Sequence, residues 1–173
     1  MALVVEDGTG LINSEAYISV TDADIYHTNY TGVTTDWSGA NTETKERTLR
    51  LSTLALDAEN VLRWKGRRNS KGQALDWPRN NVKDASGFFI DSNVIPEDLR
   101  RANAELALRE ITDSDGILPD IDDNGRIKRE KIKVGPIESD IEFVGGARPS
   151  TLYTTVKVLL RDLIQNPFVI ERS

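Results

Sequence analysis

Two stretches of the chain, 42–62 and 96–112, place apolar residues on two faces of a helix rather than one, so neither helix can simply lie on a surface. In the first, Leu51, Leu54, Ala55, Ala58, Val61 and Leu62 fall in one stripe at helical spacing, with Leu49 and Leu56 opposite. In the second, Leu99, Ala102 and Leu106 share one face and Ala104, Leu108 and Ile111 the other. Pro96 suits a first helical turn, and Glu97 and Asp98 favour the positive end of the helix dipole. Helices of this kind need neighbours on both sides, which points to a helical assembly.

Two further helices are expected. Ser19 and Asp22 form a capping pair ahead of a helix over about 20–30, with Ala23, Tyr26, His27 and Tyr30 on one face, so that His27 reads as a packed residue. Pro149 opens a helix to about Gln165, with Leu152, Val156, Leu159, Leu160 and Leu163 on a broad apolar face. Between 113 and 146 an acidic loop is followed by short apolar/polar alternations, read as strands interrupted at Gly135-Pro136, and Asn124-Gly125 is a candidate hairpin turn. The expected fold is mainly α: one domain over 1–173, a small bundle of about four helices with a β-hairpin or extended arm, and a C-terminal tail from 165.

The residue inventory removes most catalytic chemistry. There is no cysteine, hence no disulfide, thiolate zinc site or cysteine nucleophile, and the single histidine excludes sites that need two. Asp120, Asp122, Asn124 and Gly125 match the first half of a calcium loop, but Lys131 stands where a bidentate Glu is required and Glu130 is one residue early. Asp7-Gly8-Thr9-Gly10 lacks the Lys-Ser/Thr of a phosphate loop and reads as a turn. No enzyme activity, metal or cofactor is expected. The N-terminus has no basic region ahead of an apolar run, and no apolar run approaches the ~18 residues of a membrane span, so neither secretion nor membrane insertion is expected.

One segment departs from the character of the chain. The formal net charge is -6, yet residues 63–83 carry Arg63, Lys65, Arg67, Arg68, Lys71, Arg79 and Lys83 against Asp76 alone, which makes the segment +6 and the remainder -12. Trp64 and Trp77 bracket the run. Basic residues interleaved with tryptophans suit single-stranded nucleic acid, because cations neutralise phosphate while indoles stack on bases. In the alternative, Trp64, Trp77 and Pro78 anchor the loop to the helical core and the cations are solvated or paired. Apolar residues leading through Val61 and Leu62 into Trp64 favour anchoring. At the far end, Pro167 stops the last helix, and Phe168, Val169 and Ile170 form an apolar triplet suited to a groove on a neighbour.

"WKGRR", "QALDWPR" at 73–79, "IPEDLRRANAELAL" at 95–108, "KVGPIESDIEF" at 133–143 and the opening "LVVEDGTGLINSEAYISV" together resemble a family of tailed-bacteriophage proteins. Its members are similar to head-tail connector, or adaptor, proteins and often carry a DnaT-like single-stranded DNA-binding label. The resemblance implies a structural neck protein: a homo-oligomeric ring, typically a dodecamer, beneath the portal protein, extending the channel for genomic DNA and meeting the next neck or tail protein. It implies a virion location after assembly in the host cytoplasm, with no catalytic residue and no membrane. On that reading Arg63, Lys65, Arg67, Arg68, Lys71 and Arg79, with Phe168, Val169 and Ile170, serve subunit or portal contacts. The alternative is a DnaT-like single-stranded DNA-binding protein that uses the basic loop 63–83. The acidic balance of the chain leans towards the connector.

Overall fold

The computed structural model describes residues 2–31, 35–113, 117, 126–133, 138–144 and 153–165. It is mainly α with an antiparallel hairpin, and the chain divides into two compact units, one of Met1–Leu118 with Tyr153–Ser173 and one of Pro119–Leu152. The larger unit contains α1 (Val20–Tyr26), α2 (Thr35–Gly39), α3 (Thr42–Asn60), β1 (Arg67–Arg68), β2 (Arg79–Asn80), α4 (Glu97–Thr112) and α5 (Thr154–Leu160). A single π-helical turn, His27–Thr31, continues α1.

Helix α4 is the central element. Every residue from Ala102 to Leu108 is buried, and two apolar cores lie on its two sides. Leu99, Ala102 and Leu106 join Tyr17, Leu56, Trp64, Trp77 and the α5 residues Val156 and Leu160. Ala104, Ala107 and Leu108 join Ala16, Ile18, Tyr26, Trp37 and Leu49. The two-faced pattern expected of 96–112 is thus present, with Pro96 as the cap residue instead of the first helical position.

Helix α3 corrects the apolar stripe. Leu54, Val61 and Leu62 are 58%, 60% and 89% exposed, whereas Leu49 and Leu56 of the opposite side are buried. The buried face is half polar: Thr48, Ser52, Thr53 and Asn60 lie inside it. Their side chains are satisfied locally, Ser52 and Thr53 donating to the Leu49 carbonyl and Asn60 to that of Leu56. Asn103 of α4 completes the seam, with Oδ1 accepting from Tyr17 N and Thr53 Oγ1, and Nδ2 donating to Leu49 O and Ser52 Oγ. A face built of hydroxyls and amides leaves no hydrophobic periodicity to read.

At the first helix, Ser19 caps α1 by accepting from Asp22 N, and His27 is buried against Trp37, ring centroids 4.6 Å apart. Tyr30, expected on the same packed face, is 63% exposed. The Asp7–Gly10 turn wraps the buried Glu6 carboxylate, which accepts from Gly8 N, Gly10 N, Leu11 N and Ser14 Oγ. Those amides are therefore already engaged. Helix α5, Thr154–Leu160, stops short of the expected Gln165, and residues 149–152 of the expected start lie outside the described residues.

The smaller unit holds β3 (Arg126–Lys133) paired antiparallel with β4 (Glu138–Val144), with a register irregularity between Ile127 and Arg129. Gly135-Pro136 falls in the sequence between the two strands, and Asn124-Gly125, the candidate hairpin turn, lies outside the described residues. The calcium-loop residues Asp120, Asp122, Asn124 and Gly125 lie outside the described residues, as do Phe168, Val169 and Ile170. Lys131 and Glu130 lie on β3, opposite Asp140 and Ile141. Among the described residues no group of three or more metal-ligating side chains occurs, and no helix is long and apolar enough to cross a membrane.

Candidate nucleic-acid interface

The basic segment begins where α3 ends. Arg63 N and Trp64 N both donate to Asn60 O, turning the chain out of the helix, and Trp64 then bridges Ile164. Lys65 N donates to Leu163 O and Gln165 N to Arg63 O, so residues 63–65 and 163–165 run together. Gly66, at φ 67°, follows; a Cβ there would collide with the Asn80 carbonyl. The short β1–β2 pair returns the chain, with Arg67 opposite Asn80 and Arg68 opposite Arg79.

Trp64 and Trp77 are 3% and 0% exposed and meet edge to face with ring centroids 6.0 Å apart; Pro78, joined to Trp77 by a cis peptide bond, is fully buried beside them. No face of either indole is open to a base. Gln73, also buried, ties the loop from within: Oε1 accepts from Ser70 N, and Nε2 donates to Leu75 O and Pro78 O.

The six cations singled out in the sequence separate by role. Arg79 is buried and donates to Lys65 O, Asp76 O and Gly66 O, stitching the two ends of the loop; burial lowers its pKa from that of a free arginine. Arg68 is engaged with the Gln73 carbonyl and lies 4.0 Å from Asp76 Oδ1. Arg63 is half-buried near Glu59. Lys65 donates from Nζ to Lys83 O and Asp162 O. Arg67 and Lys71 are exposed and make no ion pair or hydrogen bond from their side chains among the described residues.

Beside this loop lies a groove of about 850 Å³ whose lining includes Lys65, Lys83, Arg161, Asn81 and Phe89. Its one acidic lining residue, Asp84, uses Oδ1 to accept from Ser86 N and Phe88 N. That bond closes a tight loop: Asp84 N donates to Phe88 O, Ile90 N to Val82 O, and Gly87 turns at φ 88°. The loop holds Phe88 and Phe89 out of the core, 73% and 66% exposed, with Lys83 Nζ 4.8 Å from the Phe89 ring centroid. Arg161 is largely exposed, 3.5 Å from Asp162.

Lysines and an arginine in one groove with the exposed Phe89 ring, and Phe88 exposed next to it in the chain, are the elements from which single strands can be held: ammonium and guanidinium groups follow phosphates while a ring offers a face to an unpaired base. Lys83 lies within the basic run, but Phe88, Phe89 and Arg161 carry no local sequence signal as a site. "GFFI" between Ser86 and Asp91 marks exposed aromatics only in retrospect, and Arg161 arrives through the long-range pairing of 63–65 with 163–165.

The family model described as "Putative DnaT-like ssDNA binding protein" matches residues 1–173, and the chain belongs to that family. No curated protein and no solved structure matches the chain. The family match overturns the head-tail connector reading, and with it the neck ring beneath a portal, because the family that spans the whole chain is described by single-strand binding. The acidic net charge misled: it averages over the whole chain and hides one segment, 63–83, that is +6.

Proposed function

We propose that the protein binds single-stranded DNA without sequence preference, along the groove that Lys65, Lys83 and Arg161 line, with Arg67 extending the positive surface. The observation that carries this reading is the exposed Phe88–Phe89 pair with Lys83 over the Phe89 ring. Phenylalanine has no hydrogen-bonding group, so it stacks on any base and reads none. Family membership supports the same ligand. The basic loop contributes through its cations and its scaffold, while Trp64 and Trp77 keep it in place from the core. Binding is the proposed activity, with no bond made or broken.

The test is fluorescence anisotropy with a labelled oligothymidylate and the corresponding duplex across a salt series. Tighter binding to the single strand, with log K falling against log salt by ~0.7 per phosphate neutralised, is the expected result. Equal or tighter binding to duplex would contradict it.

A further inference from the structure

A trough of about 410 Å³ lies between the C-terminal half of α3 and residues 74–76, and its lining shares no residue with the basic groove. Leu54, Ala58, Val61 and Leu75 supply apolar walls, and the exposed Leu62 follows Val61 in the chain. Glu15, Asp57 and Asp76 supply three carboxylates; Arg68, outside the lining, lies 4.0 Å from Asp76, and the one lining cation is Arg50.

That cation is committed, since Arg50 Nη2 lies 3.1 Å from Glu15 and 3.4 Å from Glu46. Asp57 accepts from the Tyr17 hydroxyl at 2.6 Å and from Asp76 N at 3.0 Å, but among the described residues no cation reaches ion-pair distance of it. Burial pushes the Asp57 carboxyl up to about 6, so near neutral pH it is a desolvated charge without a counter-ion. A cation delivered with apolar neighbours would relieve that cost and cover the exposed leucine and valine together. Phosphate-bearing ligands meet repulsion from the same carboxylates.

We propose that this trough docks a short apolar segment of a partner protein carrying one lysine or arginine, the cation reaching Asp57, the trough carboxylate that no cation pairs among the described residues, while the apolar side chains cover Leu54 and Val61. Charge complementarity selects this occupant, and it is independent of the DNA groove.

The full chain is titrated with labelled leucine/alanine peptides carrying a central Lys, Gln or Glu. The Lys peptide binds about tenfold tighter than the Gln peptide, and the Glu peptide binds weakest. Asp57→Asn reduces the Lys peptide to the level of the Gln peptide. Leu54→Ser, a change on an exposed position that leaves the fold intact, weakens all three about fivefold. Oligothymidylate binding is unchanged in both variants, which separates this site from the groove. Equal binding of Lys and Gln peptides, or indifference to both substitutions, overturns the proposal. So does stronger peptide binding by a chain ending at Gln165, which would assign the trough to the protein's own C-terminal segment.

Discussion

Lys83 lies over the ring of Phe89, its ammonium 4.8 Å from the centroid, in a groove that Lys65 and Arg161 also line. One bound nucleotide can therefore meet a phosphate partner and a stacking face within one side-chain pair. Phe89→Ala should weaken single-strand binding by ~1–3 kcal/mol, the worth of one stacked base. Because the ring is 66% exposed, the melting temperature should barely move, and anisotropy together with thermal unfolding checks both halves. Lys83→Ala should also lower the salt slope by ~0.7.

The tryptophans predict the opposite pattern. Trp64 and Trp77 are buried in the core that includes Leu56, Leu99 and Leu163, so Trp64→Ala or Trp77→Ala should cost ~3–5 kcal/mol of stability. DNA binding below the lowered melting temperature should survive. Lost binding with unchanged melting would show that the indoles meet DNA directly.

Of these two sets of aromatics, the sequence displays the wrong one more loudly. Tryptophans bracketing a basic run draw attention; Val61 and Leu62 pointed to anchoring of Trp64, which is buried, although both of them are exposed. Phe88 and Phe89 become visible only when the Asp84 turn lifts them off the core. The fold shows the same split. The two faces of α4 are legible because Leu99, Ala102 and Leu106 on one and Ala104 and Leu108 on the other keep helical spacing, although Asn103 and Glu105 are buried with them, and the Ser19 cap because one side chain makes it. The buried face of α3 is not legible, since Ser52 and Thr53 bond to their own helix and, with Thr48, replace hydrophobic residues there. Leu49, Ala55 and Leu56 are the apolar residues left on that face, while Leu54 and, just past the helix, Val61 are exposed.

Asn103 joins α3, α4 and the N-terminal segment through four hydrogen bonds in a fully buried setting. Asn103→Leu removes them all and strands the Tyr17 amide, each buried unsatisfied group costing ~1–3 kcal/mol. Denaturant unfolding should show a loss at the upper end of single-substitution effects.

Two buried groups act on acid stability with opposite signs. Burial lowers the His27 pKa to about 4, below its unfolded value, so its contribution is complete above ~6.5 and is lost as pH falls towards 4. Burial raises Asp57 to about 6, against the hydrogen bonds of Tyr17 and the Asp76 amide that lower it. Its ionisation therefore penalises the fold above pH 6, and the penalty disappears as pH falls towards the unfolded value of ~3.9. His27→Gln should consequently gain stability between pH 7 and 5 relative to the parent, and Asp57→Asn should lose it. Melting curves across that window give both signs.

The central claim is that an unpaired strand stacks on the Phe88–Phe89 pair beside Lys83, and photo-crosslinking tests it most directly. An oligothymidylate bearing 5-iodouracil is irradiated on the wild-type protein, and the attached peptide is located by mass spectrometry. The account predicts attachment at Phe88 or Phe89, lost in the double alanine variant and suppressed by high salt. Efficient attachment at Trp64, Trp77 or an aromatic residue away from the groove, with none at the phenylalanines, would contradict it.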